Sequence, residues 1–313
     1  MPNKSTRKAD RPDISATVHP QRGSLRTEPQ RVAPDTDPGT RRRVFSQNFF
    51  RSASDAGDFA EQLTYHEDAR CVVEIGPGSG RITTSLSRMG HPVVAVEIDE
   101  HWHDKVKALG LPNVEVQCGD FLEWEPHDDP FVAIGNLPFG TGTDILRRCL
   151  EFSPYSLLEA VFLMQQEYVS KRVGRYGGNS FNAQWWPWYT FHEGRPFPRQ
   201  AFQPVPRADT STLFVIPREE WEIDWRERRT YQDFVAAVYD TGHADIGTAL
   251  RKAARGSTSH WLRRAGVPAG ALVKQLGPQD WVELYMARNP PPGARTHGGR
   301  TQGARGRGGR KRR

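Results

Sequence analysis

The stretch "CVVEIGPGSGRITTSLSRMG", Cys71–Gly90, decides the fold. An apolar run, Cys71–Gly76, ends in glycine and reads as a buried strand. "RITTSLSRMG" reads as a helix closed by Gly90. Between them lie glycines at 76, 78 and 80, which let a backbone pass close to a ligand. A glycine loop joining a strand to a helix is where open α/β sheets bind cofactors. The same alternation continues outward. "PVVAVEID" (Pro92–Asp99), "VEVQCGD" (Val114–Asp120), "FVAIGN" and "LEAVFLMQ" (Leu158–Gln165) are further strand-like runs. Trp102–Leu109 and a segment from about Thr143 to Glu151 read as helices between them. Strands alternating with helices predict an α/β fold, a parallel sheet with helices on both faces. From about Pro217 the strand-like runs stop. "REEWEIDWRERRTYQDFVAAVYDT", "ADIGTALRKAA" and "DWVELYMARN" are helical in pattern, which predicts a smaller helical domain.

Length and composition bound what surrounds this alternation. The chain has 313 residues, enough for two domains, with 36% hydrophobic and 26% charged residues. Three scattered cysteines argue against a disulfide framework and fit a reducing cytoplasm. There is no CxxC or HExxH metal signature, no apolar run of membrane-spanning length and no apolar leader. The net charge of +6 is unevenly spread: residues 1–43 carry +5, residues 293–313 carry +8, and the body between them carries −7. Residues 1–40 and the Gly/Arg-rich 291–313 read as disordered extensions, and basic tails on a folded body commonly bind nucleic acid. The folded part then divides into 41–216, the α/β domain, and 217–290, the helical one.

The chemistry concentrates at the strand ends. The spacing G-x-G-x-G is not the G-x-G-x-x-G of dinucleotide binders, and Pro77 removes an amide that a phosphate cradle would use. A cofactor without phosphates is favoured. Glu97 ends the second strand, 21 residues after Gly76, where a carboxylate can accept both hydrogen bonds of a ribose diol. Asp120 ends the third inside "GDF", and Phe121 beside it can cover an adenine. This order fits S-adenosylmethionine. "NLPF", Asn136–Phe139, ends the fourth strand beside the same pocket. As a bare tetrapeptide it is an ordinary turn. In this context it is more. An exocyclic amine such as adenine N6 is a poor nucleophile because its lone pair is delocalised into the ring. The Asn136 side chain and a backbone carbonyl near Leu137 can accept its two N–H groups, Pro138 stiffens the turn, and Phe139 offers a stacking face.

At this point the chain resembles the rRNA adenine-N6 methyltransferases, over about residues 41–290. "FSQNFF" (Phe45–Phe50), "EIGPGSG", "EID" (Glu97–Asp99), "GDF", "NLPF" and "PVPRAD" (Pro204–Asp209) fall in the family's order. The resemblance implies a Rossmann-like class I methyltransferase domain of seven strands with an all-helical C-terminal domain. It implies cofactor contacts at Gln47, Asn48, Phe50, Gly76, Gly78, Glu97, Ile98, Asp120, Phe121 and Asn136, and catalysis at Asn136, Leu137, Pro138 and Phe139. "SQNF", the stretch Gln165–Phe191 and the Gly/Arg tail resemble the Erm branch, which acts on 23S rRNA and gives macrolide resistance. Phe139 stands where Tyr is commoner in the family, and "PRADT" replaces the usual Pro-x-Val-Asp-Ser. The small-subunit dimethyltransferases are the alternative within enzymes, and a non-catalytic nucleic-acid-binding relative is the alternative outside them.

The expected partner is 23S rRNA, free or as an early precursor, with no metal and no membrane, and the protein is expected to be a cytoplasmic monomer. Arg147 lies on the helix after "NLPF", and Lys171, Arg172 and Arg175 lie in an expected loop after the fifth strand. All four are candidate phosphate contacts, with a solvated surface as the alternative. Arg305, Arg307 and Arg310 in the tail are further candidates. Trp185, Trp186, Trp188 and Tyr189 are read as core packing rather than RNA contacts, since large aromatics are highly buried on average.

Overall fold

In the computed structural model, the described residues are 48–64, 66–126, 129–175, 177–254 and 256–288. Gln47, Arg305, Arg307, Arg310 and the two basic extensions therefore lie outside the described residues. Nine strands are present among them: β1 (Phe49–Phe50), β2 (Cys71–Ile75), β3 (Val93–Glu97), β4 (Val114–Cys118), β5 (Phe131–Asn136), β6 (Leu157–Gln165), β7 (Tyr189–Phe197), β8 (Phe202–Gln203) and β9 (Thr210–Pro217). Seven form one sheet in the order β4-β3-β2-β5-β6-β9-β7, and β1 pairs with β8 in a separate two-stranded ribbon. The pairs β4–β3, β3–β2, β2–β5 and β5–β6 are parallel, while β9 runs antiparallel to both β6 and β7. The parallel sheet expected from the sequence is thus parallel over five strands and mixed at one side.

Burial on both faces explains the near-continuous apolar strands. Side chains two apart share a face. Val72, Val132, Ile134, Val161 and Leu163 pack on one side with Phe59 of α1 (Ala53–Ala60) and Ile82 and Leu86 of α2 (Arg81–Arg88). Val73, Ile75, Ala133 and Phe162 pack on the other with Leu146 and Leu150. After β3 comes α3 (Glu100–Lys107), and after β5 comes α4 (Gly142–Glu151) carrying Leu146 and Leu150. The helices α5 (Gln166–Arg172) and α6 (Ser180–Trp185) follow β6. Lys171 and Arg172 are thus helical, not in the expected loop: glycine at 174, φ +81°, stops the helix only after them.

Beyond β9 come α7 (Arg228–Asp240), α8 (Ile246–Ala254), α9 (Ser259–Ala265) and α10 (Pro278–Arg288). The helix expected from Arg218 starts late. Asp224 caps the turn at Trp225, accepting from the Arg226 N–H at 2.8 Å, and Trp221, Ile223 and Trp225 recur at the period of extended chain. One apolar cluster runs from Val73 under the sheet to Trp281 among these helices. Trp188 sits at its middle, fully enclosed, with its ring edge-on to Trp225 and Tyr231 at 5.5 Å each and its indole N–H donating to the Ile223 carbonyl. Trp185 and Tyr189 are buried too, and Tyr189 donates its hydroxyl to the Phe152 carbonyl. The core reading of these aromatics holds, with Trp186 half-buried.

Gly135 sets how closely β5 approaches β2. A Cβ at that position would lie 2.8 Å from the Ile75 carbonyl oxygen. Gly135→Ala must therefore push two central strands apart, and overpacking of this kind costs about 1–3 kcal/mol. Urea unfolding followed by circular dichroism should show a midpoint lowered accordingly; an unchanged midpoint would mean that the strands separate freely there.

Candidate active site

Because β2, β3, β4 and β5 are parallel neighbours, their carboxyl ends share one edge. That edge gathers Gly76, Glu97, Asp120 and Asn136. The glycine loop is built from three left-handed turns, with φ of +67° at Gly76, +52° at Gly78 and +75° at Gly80. Gly76 donates to the Val96 carbonyl at 2.9 Å, and a Cβ built on it would meet nothing within 4 Å. The loop is open there. Gly78 differs: a Cβ on it would overlap the Phe49 ring. Its N–H donates to Glu97 Oε2 at 2.9 Å, while Glu97 Oε1 accepts from the Asp99 N–H at 3.0 Å.

Glu97 is 2% exposed, and each of its oxygens keeps a lone pair after these bonds. Burial pushes its carboxyl up to about 6, opposed by the backbone N–H groups of Asp99, Gly78 and Ile98. Asp120 is half-buried. Its Oδ1 accepts from the Leu122 N–H at 2.9 Å, and Oδ2 has no hydrogen-bond partner among the described residues. Ile98, 40% exposed, is an apolar side chain presented beside Glu97. Phe121 departs from the expectation. Its ring is buried, stacked on Trp124 at 5.6 Å and edge-on to Phe152 at 6.3 Å. Core partners take its face, so the ring is not free to cover a base.

"NLPF" closes the edge. The Asn136 amide Nδ2 donates to the Asn48 carbonyl at 2.6 Å, which fixes the amide and turns Oδ1 the other way. Oδ1 has no partner among the described residues. Leu137 buries its side chain and donates its N–H to the Leu163 carbonyl at 3.1 Å. The Pro138 carbonyl accepts from the Gly142 N–H at 2.8 Å, whereas nothing among the described residues donates to the Leu137 carbonyl. Two acceptors, one side-chain and one backbone, thus stand unused on consecutive residues, beside the half-buried Phe139. Phe50 points away: its ring is packed on Phe59, Phe197 and Phe202, so only its backbone is near the site.

The candidate RNA-binding side chains are less free than expected. Arg147 reaches Asp144 at 3.4 Å, Lys171 reaches Glu167 at 2.7 Å and Arg175 reaches Glu193 at 2.6 Å, all from exposed positions. Arg172 is buried, with its guanidinium 4.3 Å from the Phe181 ring centroid and 4.9 Å from that of Tyr168, so it serves packing. Three residues at the site went unassigned in the sequence reading: Glu74, Phe49 and Trp102. An acid inside the apolar run Cys71–Ile75 was the available signal for Glu74. The described residues contain no cluster of His, Cys, Asp or Glu suited to a metal and no helix long and apolar enough to cross a membrane.

A sheet in this order, with a glycine loop at one strand end, acids at the next two and an amide at the fourth, defines a Rossmann-like enzyme for a nucleoside cofactor. The open cradle at Gly76, the spare lone pairs of Glu97 and the missing amide of Pro77 fit one without phosphates. The family described as "Ribosomal RNA adenine dimethylase" matches residues 39–288, and the chain belongs to it. It is a methyltransferase, and family and fold together imply S-adenosylmethionine as the methyl donor. The chain is 31% identical over 272 residues to an rRNA adenine N-6-methyltransferase of Saccharopolyspora erythraea, covering 85% of this chain and 71% of that one. It is 30% identical over 263 residues to the mycinamicin-resistance protein MyrB of Micromonospora griseorubida, covering 84% of each. Among solved structures, the 23S rRNA methyltransferase ErmE superposes with a TM-score of 0.64 at 28% identity, over 76% of this chain and 98% of that one.

Glu74 carries a pH dependence. It is completely buried, and Thr83 lies beside it without forming a well-shaped hydrogen bond to either oxygen. Burial pushes its carboxyl up to about 8 from an ordinary value of 4.5. The folded chain holds this proton across a window in which the unfolded chain has released it. Stability is therefore fullest below the ordinary value and declines as pH rises toward 8. Glu74→Gln, which mimics the protonated form, should flatten that decline in melting temperature between pH 5 and 8 and stabilise the protein at the alkaline end. A slope identical to wild type would mean that Glu74 ionises in place.

Proposed function

We propose that this protein methylates N6 of a specific adenine in 23S rRNA and thereby confers resistance to macrolide-type antibiotics. The observation that carries the reading is the Asn136 amide, tethered through Nδ2 to the Asn48 carbonyl at 2.6 Å with Oδ1 left open. Asn136 Oδ1 and the Leu137 carbonyl accept the two N–H groups of the exocyclic amine. That pairing favours a pyramidal nitrogen and aims its lone pair. Pro138 holds the two acceptors in place, and Phe139 stacks the base, worth about 1–3 kcal/mol in single-strand recognition. When bound, S-adenosylmethionine supplies an already activated methyl group, so positioning provides most of the catalysis and no strong base is needed. Glu97 accepts from the ribose diol, Asp120 Oδ2 from the adenine amine, and Gly76, Gly78, Ile98 and the Asn48–Phe50 backbone complete the cofactor site.

The choice of 23S rRNA and of resistance is supported by the names of the relatives, ErmE and MyrB, and by "SQNF". The substrate is free or early precursor rRNA, because a base inside a duplex cannot present N6 to "NLPF" and flipping is cheapest from a single-stranded loop. Residues 41–216 form the catalytic domain and 217–290 the helical one. Arg147, Lys171 and Arg175 meet RNA phosphates, joined by the tail arginines 305, 307 and 310. The protein works as a cytoplasmic monomer without a metal.

The test is methylation mapping on 23S rRNA from a susceptible host, with and without the protein, alongside growth on erythromycin. One adenine should gain N6 methylation, and the host should become resistant. Asn136→Ala should lose transfer by roughly 10²-fold or more while S-adenosylmethionine affinity stays within a few-fold, since an acceptor aimed at the amine acts mainly in the transition state. Methylation confined to small-subunit rRNA would overturn the substrate assignment, and a fully active Asn136→Ala would overturn the mechanism.

A further inference from the structure

The acceptor geometry at Asn136 depends on a carbonyl that belongs to neither the sheet nor the turn. Asn48 lies just before β1, and β1 is only two residues long. Two interactions hold that short strand from below. Phe49 pairs with Gln203 and Phe50 with Phe202, and the Arg51 N–H donates to the Ala201 carbonyl at 2.7 Å. The Phe50 ring is buried at 3% exposure among Phe59, Phe197 and Phe202. Alternation along a strand then sends Phe49 to the opposite face. There its ring covers Gly78, the residue where a Cβ would overlap it. On the far side it meets Trp102 of α3, with ring centroids 4.8 Å apart and planes at 59°. Lys105 Nζ sits 4.5 Å from the Trp102 ring centroid, holding that ring by a cation–π contact. Gly78 is itself bonded to Glu97. So the ring of Phe49 is clamped between the cofactor loop and α3, and the next residue back carries the carbonyl that fixes the catalytic amide.

We propose that Phe49 and Trp102 are positioning residues for methyl transfer, forming an aromatic clamp that holds the Asn48 carbonyl where it orients the Asn136 amide. The clamp couples the state of the glycine loop to the alignment of the acceptor. Gly78, Phe49 and Trp102 are already in contact, so a shift of the loop would be passed through Phe49 to Asn48. An open clamp lets the Asn48 carbonyl drift, the Asn136 amide loses its fixed rotamer, and Oδ1 no longer points at the amine. A misplacement of about 1 Å in a group that positions substrate can cost up to ~10²-fold in rate. Trp102 meets Phe49 from α3 and not from the glycine loop or "NLPF" segment of the chain, which makes it the place to break the series of contacts.

This inference rests on the reading of Asn136 as the amine acceptor, so Asn136→Ala is measured beside it. With full-length protein and 23S rRNA transcript, Trp102→Ala should lower kcat by about 10-fold or more. S-adenosylmethionine affinity by calorimetry should stay within about 3-fold. Trp102→Phe, which keeps an aromatic face, should restore most of kcat. Trp102→Leu, which keeps apolar volume without that face, should not, and it serves the comparison if Trp102→Ala fails to fold. An unchanged kcat in Trp102→Leu, with Asn136→Ala inactive, overturns the clamp and leaves the acceptor standing. A loss of cofactor affinity equal to the loss of kcat also overturns it, because the aromatic pair would then serve binding alone. A fully active Asn136→Ala removes the acceptor reading beneath it.

Discussion

Parallel pairing of β4, β3, β2 and β5 is the constraint on which the site depends. Only strands that run the same way can end at one edge, and only there can Gly76, Glu97, Asp120 and Asn136 meet although they span sixty residues of chain. The pairing is kept by apolar burial on both faces and by the close approach that Gly135 permits. Antiparallel neighbours would have sent alternate strand ends to opposite sides. The antiparallel β9 lies outside this group, beyond β6, and brings its first residue, Thr210, and not its last, to that edge, opposite Gln165. The fold thus separates a parallel half, which builds the cofactor site, from a mixed half, which carries the β6–β9–β7 edge and the helical layer beneath it.

Electrostatics at that edge follow from how deeply each acid is placed. Glu74 and Glu97 lie on neighbouring strands, and both are buried. An ionised carboxylate with poor partners is costly in such a place, so the group with the weaker donors stays protonated. Glu74 has only the weak help of Thr83, and burial lifts it to about 8; Glu97 is met by the backbone N–H groups of Asp99, Gly78 and Ile98, and burial lifts it only to about 6. One acid is therefore neutral filler under the loop, while its neighbour keeps a charge near neutral pH and can face the cofactor. The same donors that hold Glu97 ionised also shape the loop, because one of them is Gly78 itself.

The sequence was most legible where backbone chemistry and periodicity agreed. The runs at 71–75, 93–97 and 131–136 are nearly continuous and apolar, the run at 114–118 alternates, and each leads to a glycine, acid or amide that marks the strand end. β7 was not legible from its own residues. It carries Glu193, Gly194, Arg195 and Pro196, and the pairing shifts register between Glu193 and Pro196, so no clean period survives. Side-chain direction was harder still. Phe121 reads as a base cover next to an acid, yet its ring turns into the core, since Trp124 and Phe152 offer it more contact than solvent does. Arg172 reads as a phosphate ligand, yet two aromatic rings enclose it. Trp102 reads only as the start of a helix, because nothing local in sequence shows that Phe49 arrives from more than fifty residues away. Contacts of that span are set by the fold and not by spacing.

The distribution of charge leads to one more step. The body carries −7, and its exposed cations beside the site face acids of the body itself: Arg147 with Asp144, Lys171 with Glu167, Arg175 with Glu193. Arg195 with Asp58 and Arg199 with Asp209 extend the pattern along β7 and just past it. Exposed pairs of this kind hold weakly, because water screens them and two long side chains must be ordered to form them. A phosphate can therefore displace the carboxylate at little cost, but only once it has come within reach. At longer range the body repels a polyanion, and the positive charge sits at residues 1–43 and 293–313. The proposed function then divides capture from registration: positive extensions would gather RNA without reading its sequence, and paired cations on the folded surface would exchange partners only where the backbone of the bound strand passes close to them.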